Sequence, residues 1–468
     1  MDYEHLYAAY GLLQRKFCIS RIMDGKHVDY TISGPAFDCT FSAVDQVTPP
    51  IYSRRILIFS RQDDNREQSV LALRSGIQRT VNEIPILAGQ MGHSPAGWTV
   101  KPGEARLRVK DLDMSFSQLQ TSGFSEEMLP AHIVSSVPAI TDPESEWHAC
   151  RIQANFIRGG LLLVISINHT TMDGYGISKV IEALSRNCRV HESSAAAHLS
   201  VKTDHQLDRS VLLVCKDEAK SGDIRKLDAY TLVQGVPPNL LPSSERIVTK
   251  SFQLSLPALK TLKRAASPRE GWITTHDAVN ALCWRTHARG RYQAGLLSDE
   301  DVARFAFPVE FRTLVDPPLP PEYMGNAVLM TKVELPVKTL LGADGLRRAA
   351  EAIRHGVRRV DASYVGNFIG VARSLEEPGR LKINLKLERR NTAFGSTSYK
   401  SFAHSTLDWD AAALGRYERL RLASGVTGEG MSIILPVLAD GSWEVTVSLE
   451  EELVALFQTA DEWRTYTV

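Results

Sequence analysis

The chain has 468 residues, of which 43% are apolar and 23% charged, a composition typical of globular proteins rather than of disordered or fibrous ones. Lys plus Arg (54) balances Asp plus Glu (54), so the overall charge gives no indication of a nucleic acid or an anionic membrane as partner. A chain of this length exceeds one ordinary hydrophobic core, which predicts two domains.

Targeting and cysteine patterns point to a cytoplasmic protein. The first residues are too polar for a signal peptide, and the apolar stretch at 161–167 is far too short for a membrane span. Six cysteines are scattered without CxxC spacing, which argues against a disulfide framework and against zinc bound by cysteines. We therefore expect a reduced, cytoplasmic protein with no membrane span.

The first half of the chain alternates predicted strands and helices. Residues 51–60 are typical of a strand, and 66–81 have apolar residues close to helical spacing. Two apolar arms joined at Gly159 and Gly160 predict a β-hairpin over 147–167. The second arm is almost entirely apolar, as expected of a strand buried on both faces.

A helix is predicted directly after this hairpin. Ile177, Val180, Ile181 and Leu184 recur at the spacing of one helix face. The run 169–174 (HTTMDG) is therefore a strand-to-helix connection, where rigid elements hold side chains that solvent can still reach.

The second half shows a similar pattern after a polar segment at 189–245, which we interpret as a crossover. The predicted elements are strands at 250–255, 303–311 and 326–335, helices at 275–289 and within 340–375, and a final hairpin and helix over 431–457. The predicted fold is α/β or α+β with mixed sheets. We place the N-terminal domain at 1–205, the linker at 206–245 and the C-terminal domain at 246–468.

His169 is the candidate catalytic residue. Histidine titrates closest to neutral pH and is the usual general base, and the end of a buried strand favours its neutral form. The alternative, that His169 is only a hydrogen-bonded loop residue, stays open on this motif alone.

Asp173 has three interpretations. It can cap the following helix, pair with a distant arginine, or orient His169 as in a hydrolase triad, the least favoured of the three. Gly174 is expected to give the turn backbone freedom. His169 and Asp173 could be two metal ligands, but no third ligand lies at a spacing typical of metal sites, so we predict no metal site.

Other catalytic motifs are missing from the sequence. There is no phosphate-binding GxxxxGK[ST] loop, no GxSxG elbow and no evident serine or cysteine nucleophile. This pattern favours direct attack by an acceptor on a donor over a covalent intermediate.

His169, Asp173 and Gly174 match the HxxxDG motif, and on this basis the chain resembles the BAHD acyltransferases, more closely their fungal trichothecene 3-O-acetyltransferase-like branch. Asn168 stands where related chloramphenicol acetyltransferases and condensation domains usually carry a second histidine. Four further stretches match family motifs in the right order: 83–89 (EIPILAG), 275–284 (Thr-x-Asp followed by Ala and Trp on the predicted helix), 309–326 (VEFR, PPLP and YMGN) and 397–399 (TSY).

The resemblance implies an architecture and a reaction. It implies two chloramphenicol-acetyltransferase-like domains with an active-site channel between them, in a monomer. The implied reaction moves an acyl group, in particular acetyl, from coenzyme A to a hydroxyl of a small-molecule secondary metabolite. Acetyl-CoA would be a co-substrate, with no bound cofactor.

Individual roles follow from the same resemblance. Nε2 of His169 would act as the general base, while Asp173 would turn away and pair with an arginine, for which Arg312 is our choice. Thr397 and Tyr399 are candidates by position for binding the oxyanion or the substrate.

One motif departs from the family. Where the family has DFGWG, this chain has Asp408-Trp409-Asp410-Ala411-Ala412, which keeps the aspartate as a structural support and loses both glycines. The change puts the shape of this loop and the seating of coenzyme A in question. Alternatives are an N-acyltransferase, a condensation or cyclisation without coenzyme A that uses the same histidine, and a non-catalytic small-molecule-binding protein.

Overall fold

A computed structural model of the chain shows its fold. The structure describes residues 27–61, 65–94, 97–138, 147–189, 207–212, 222–233, 247–384, 392–410, 413–423 and 430–467.

The strands, in chain order, are β1 (His27–Ser33), β2 (Tyr52–Ser60), β3 (Gly89–Ser94), β4 (Gly97–Pro102), β5 (Glu104–Ser115), β6 (Trp147–His148), β7 (Cys150–Arg158), β8 (Gly160–Asn168), β9 (Tyr230–Leu232), β10 (Ile247–Leu254), β11 (Val302–Glu310), β12 (Val328–Pro336), β13 (Leu381–Ile383), β14 (Ala393–Ser398), β15 (Arg416–Leu422), β16 (Met431–Ile434) and β17 (Trp443–Glu450).

The α-helices, in chain order, are α1 (Ala43–Val47), α2 (Arg66–Glu83), α3 (Phe116–Thr121), α4 (Ala131–Val134), α5 (Gly174–Cys188), α6 (Leu256–Ala266), α7 (Thr275–Gln293), α8 (Val337–Leu341), α9 (Gly345–Arg359), α10 (Ala362–Ser374), α11 (Glu451–Thr459) and α12 (Asp461–Arg464). Within the described ranges, no helix is long and apolar enough to cross a membrane.

Two six-stranded mixed sheets form the framework. The first has the order β1-β5-β7-β8-β2-β15, and the second has the order β10-β17-β16-β14-β11-β12. Each sheet contains both parallel and antiparallel pairs, such as β5 with β7 and β7 with β8. The predicted fold of two α/β units with mixed sheets and flanking helices is confirmed.

The apolar strands are buried because helices cover them. Every residue of β8 is buried, and its alternate side chains pack with α2 and α5 in one hydrophobic core. A separate core lies between the second sheet and the helices α6, α7, α9 and α11. A near-continuous apolar sequence such as that of β8 is the pattern expected of a strand covered on both faces.

The predicted elements agree with the structure within a few residues, with some exceptions. Several elements are absent from the sequence-based prediction, among them the long strand β5, the strands β14 and β15 and the helix α6. The first arm of the final hairpin ends at Ile434, two residues before Pro436. Proline lacks the N–H that a central ladder needs, which explains the early end. Most of the predicted crossover at 189–245 lies outside the described residues.

The strand β15 joins the two parts of the chain. It comes from the C-terminal part of the sequence, yet it pairs antiparallel with β2 at the edge of the first sheet, with Arg416 opposite Ser60. The first sheet therefore contains five strands from the N-terminal part of the chain and one strand, β15, from the C-terminal part. The domain boundaries given above stay a prediction.

Candidate active site

His169 directly follows β8, and a backbone hydrogen bond ties it to the segment that leads into β2. Its backbone N–H donates to the carbonyl oxygen of Ile51 at 2.8 Å, next to the pairing of Tyr52 with Asn168. The imidazole is half-buried, and its Nδ1 is shut off from solvent and has no hydrogen-bond partner among the described residues. The outward side of the ring is therefore the side that carries Nε2.

Burial controls the protonation of this ring. It lowers the pKa of His169 from the ordinary value of 6.5, the positive charge of Arg55 acts in the same direction, and the negative charge of Asp173 opposes it. Desolvation disfavours the imidazolium because a charged ring loses more hydration than a neutral one. His169 is accordingly neutral at physiological pH, the state a general base requires.

The loop after His169 is held by side chains from elsewhere in the chain. Asn326 donates from Nδ2 to the carbonyl oxygens of His169 and Thr170, both at 3.1 Å. Arg209 donates from Nη2 to the carbonyl oxygen of Thr171 at 2.8 Å. Three successive carbonyls thus have partners outside the loop, which fixes the backbone that carries the imidazole.

Asp173 combines two of the interpretations made from the sequence. Its Oδ1 accepts from the N–H groups of Tyr175 and Gly176 at 3.0 and 3.1 Å, so it caps α5. Arg312 donates to Oδ2 from Nη1 at 2.9 Å and to Oδ1 from Nη2 at 3.0 Å, in a buried bidentate pair. No hydrogen bond within the described ranges joins Asp173 to His169, so the triad arrangement is not what the structure contains.

Arg312 connects this carboxylate to the 323–327 segment. Its Nη2 donates to the carbonyl oxygen of Gly325 at 2.7 Å, and its guanidinium lies over the ring of Tyr175 at 4.4 Å. Oδ2 of Asp173 also accepts from the N–H of Ala327 at 2.9 Å. The pair therefore holds the start of α5 against the segment that supplies Asn326.

The expectation for Gly174 is wrong. This residue is already the first residue of α5 and is not among the glycines with positive φ. An added Cβ there would lie in ordinary contact, 3.4 Å from Cζ of Phe402. Gly176 is the constrained position instead, since a Cβ on it would overlap the carbonyl oxygen of Met324 and lie 2.8 Å from Cβ of Met172.

These two glycines give a paired prediction. We expect Gly176→Ala to lower the free energy of unfolding by about 1–3 kcal/mol, because the added methyl must displace the Met324 backbone. Gly174→Ala, two residues away, should leave stability nearly unchanged. Urea unfolding of both variants is the measurement, and equal losses would contradict this packing.

Tyr399 lies near the start of α5. The guanidinium of Arg55 covers its ring at 4.3 Å and donates weakly from Nη2 to the carbonyl oxygen of Gly174 at 3.5 Å. Thr397 is placed differently, opposite Ile433 in the second sheet. In the described part of the chain, no hydrogen bond connects either Thr397 or Tyr399 with His169.

Asp408 lies at the other end of α5. It forms an exposed ion pair with Arg189 at 3.1 Å, and its carbonyl oxygen accepts from Oγ of Ser185 at 2.6 Å. Since α5 has 15 residues, this end is about 20 Å from Asp173 at 1.5 Å per residue. Asp408 is thus a support for the helix end and lies far from the imidazole.

The loop at 408–410 keeps a turn that normally needs glycine. Asp410 occupies the first glycine position of the family motif and has φ of 57°, in the left-handed region. Aspartate tolerates this region better than most residues because its short side chain can bond locally. Ala411 and Ala412, the last two residues of the motif, lie outside the described residues.

Four supporting residues were not singled out from the sequence: Asp45, Arg55, Arg209 and Asn326. Asn326 stands in the YMGN block already matched to the family, and Ser42 with Asp45 has the spacing of a helix capping box. Arg209 sits in the polar 189–245 segment, which offered no signal. Three of them, Arg55, Arg209 and Asn326, donate to carbonyl oxygens of the loop at 169–174. Asp45 contacts two of these three residues. Sequence spacing does not reveal such contacts.

Comparison with known proteins identifies the class. The fold has two mixed sheets, and the HxxxDG loop at 169–174 follows a buried strand of the first sheet. The Transferase family model matches residues 35–463, and the chain belongs to this family, that of the BAHD acyltransferases, whose donors are acyl-CoA thioesters.

Two individual relatives share between a quarter and a third of their aligned residues with this chain. The chain is 31% identical over 450 residues to the enoyl-CoA isomerase/hydratase claC of Penicillium crustosum. This alignment covers 91% of the present chain and 50% of claC. The chain thus spans about half the length of that relative, and the name of claC is no guide to the matching half. It is 25% identical over 474 residues to the O-acetyltransferase astG of Aspergillus oryzae, covering 87% and 97% of the two chains.

A solved structure shows the same fold. F. graminearum TRI101, complexed with coenzyme A and deoxynivalenol, matches with a TM-score of 0.79 and 19% identity over 94% of this chain and 99% of TRI101. At this identity the likeness supports the fold and not the substrate.

Proposed function

We propose that this chain transfers an acyl group, in particular acetyl, from coenzyme A to a hydroxyl of a small-molecule secondary metabolite, with His169 as general base. The observation that carries the proposal is the half-buried His169, kept neutral by burial on a loop held from outside. The relative astG, an O-acetyltransferase by name, supports the choice of acetyl and hydroxyl. We further propose a cytoplasmic monomer.

The proposed reaction needs no covalent enzyme intermediate. Nε2 of His169 takes the proton of the acceptor hydroxyl as its oxygen attacks the thioester carbonyl, forming a C–O bond and a tetrahedral oxyanion. The intermediate collapses, the C–S bond breaks, and the thiolate of coenzyme A receives from the imidazolium the proton that the acceptor hydroxyl had given up. Atoms and charge balance over the two steps, which yield an ester and free coenzyme A.

Other residues have supporting roles in this proposal. Asp173 and Arg312 hold the loop, Gly174 begins α5, and Asp408 supports the opposite end of that helix. Tyr399 is the better placed of the two oxyanion candidates, since the cation of Arg55 over its ring stabilises negative charge nearby. We propose 1–205 and 246–468 as the two domains, with 206–245 as the linker.

Binding and mass measurements test the donor. Calorimetric titration with coenzyme A should show binding, and intact-mass spectra after mixing with acetyl-CoA should show the unmodified protein. An acetylated protein would contradict direct attack. Absence of coenzyme A binding would favour the condensation or cyclisation alternative.

The pH dependence of the rate tests the base. The neutral imidazole is the active form, so kcat/KM should fall only as the pH drops through the pKa of His169, which lies below 6.5. Above that point, up to about pH 8, the rate should be flat. An acid limb with its midpoint above 6.5 would contradict a base whose pKa is lowered by burial.

A further inference from the structure

Asp45 is a fully buried carboxylate to which the proposed reaction assigns no step. Its Oδ2 accepts from the N–H and the hydroxyl of Ser42 at 2.9 and 2.8 Å, which forms the capping box of α1. Its Oδ1 accepts from the backbone N–H and from Nδ2 of Asn326 at 3.0 and 2.8 Å. Nε of Arg209 lies 3.3 Å from Oδ2.

The two partners of Asp45 are the same residues that hold the histidine loop. Asn326 binds the carbonyls of His169 and Thr170, and Arg209 binds the carbonyl of Thr171. One buried carboxylate therefore lies behind the side chains that fix three successive peptide groups. A carboxylate accepts only, so it keeps the N–H groups of both side chains oriented for these contacts.

We propose that Asp45 is a positioning residue for His169, acting through Asn326 and Arg209; this inference rests on the proposed function of His169. Removal of the carboxylate leaves a buried guanidinium without its counter-ion and frees the Asn326 amide to turn. The loop backbone then shifts, and the imidazole moves away from the reacting hydroxyl while both substrate sites stay intact. A displacement of about 1 Å at a reacting group lowers rates by as much as about 10²-fold.

Asp277 provides a matched control. It is also fully buried, occupies the same third position of a capping box, with Thr274, and pairs with an arginine, Arg354, at 2.8 Å. Replacing either aspartate by asparagine removes the charge beside its arginine and leaves one acceptor oxygen for the capping box. In the described part of the chain, the polar contacts of Asp277 do not reach the loop at 169–174.

The experiment measures thiol release from acetyl-CoA by the full chain, with water alone and with a panel of alcohols, for wild type, Asp45→Asn and Asp277→Asn. We expect Asp45→Asn to lower kcat by about 10²-fold with KM for acetyl-CoA within about twofold of wild type. Asp277→Asn should also lower the melting temperature, since it breaks a buried ion pair, and keep kcat within about threefold. This split between kcat and KM is one that a general loss of stability does not produce.

The outcomes separate the two proposals. If wild type releases thiol, His169→Ala does not, and Asp45→Asn matches Asp277→Asn in kcat, then Asp45 has no positioning role. If wild type and His169→Ala behave alike, the proposed function itself fails. Should Asp45→Asn not fold, Asp45→Glu keeps the charge beside Arg209 but displaces Asn326, and an unchanged kcat in that variant overturns the inference.

Discussion

Replacing His169 with alanine is expected to lower kcat by about 10²–10⁴-fold, the usual contribution of a general base. Without the imidazole, the acceptor hydroxyl must attack as a neutral group or lose its proton to water. The melting temperature should change little, because the ring is half-buried and its Nδ1 has no hydrogen-bond partner among the described residues. Removal of the ring therefore leaves no such partner without its hydrogen bond. The measurement is the steady-state rate of acyl transfer together with the melting temperature.

His276 supplies a control for this variant. It is another half-buried histidine, and burial lowers its pKa to about 4. His276→Ala should keep kcat near that of wild type, since the residue lies at the start of α7, where its ring contacts Asn280 and, in the described part of the chain, makes no hydrogen bond to the loop at 169–174. Comparable rate losses in the two variants would show that His169 acts through stability and not through chemistry.

Replacing Arg312 with methionine is expected to lower the free energy of unfolding by about 3–5 kcal/mol, the cost of breaking a buried ion pair by removing one partner. Asp173 would keep its bonds to backbone N–H groups and lose two charge-assisted bonds in a site closed to water. The start of α5 would then lose its link to the segment carrying Asn326, so kcat should fall as well. Urea unfolding and the transfer rate are the measurements.

A surface ion pair and a second substitution serve as controls. Arg158 pairs with Asp113 at 2.7 Å, but both side chains are mostly exposed, so Arg158→Met should cost about 1 kcal/mol or less. Adding Asp173→Asn to Arg312→Met should recover part of the lost stability, since asparagine can still cap α5 without leaving a buried charge. An Arg312→Met protein as stable as Arg158→Met would contradict the importance of the buried pair.

The sequence predicts the elements around the site well because their patterns are local. The apolar run of β8 and the spacing of Ile177, Val180, Ile181 and Leu184 together place His169 between a buried strand and a helix, as observed. The charge and capping preference of Asp173 predict its two partnerships in kind. The partner Arg312 is predicted only by its place in a family motif, since no local pattern joins residues 139 positions apart.

The remaining features depend on packing between distant segments. The pairing of β15 with β2, and the contacts of Asp45 and Arg209 with the histidine loop, leave no periodic pattern in the sequence. The error at Gly174 has a similar origin, because the need for a small residue arises at Gly176 from the nearby Met324 backbone. A change such as Asp410, which keeps a left-handed turn without glycine, is likewise visible only in the structure.

The most direct test of the whole account is chromatography with mass detection of reactions containing acetyl-CoA and a panel of alcohols, catalysed by wild type or by His169→Ala. We predict an acetyl ester of at least one alcohol with wild type, released together with an equal amount of coenzyme A, and only a trace of that ester with His169→Ala. An ester formed equally by both proteins, or formed by wild type in the absence of acetyl-CoA, would contradict the account.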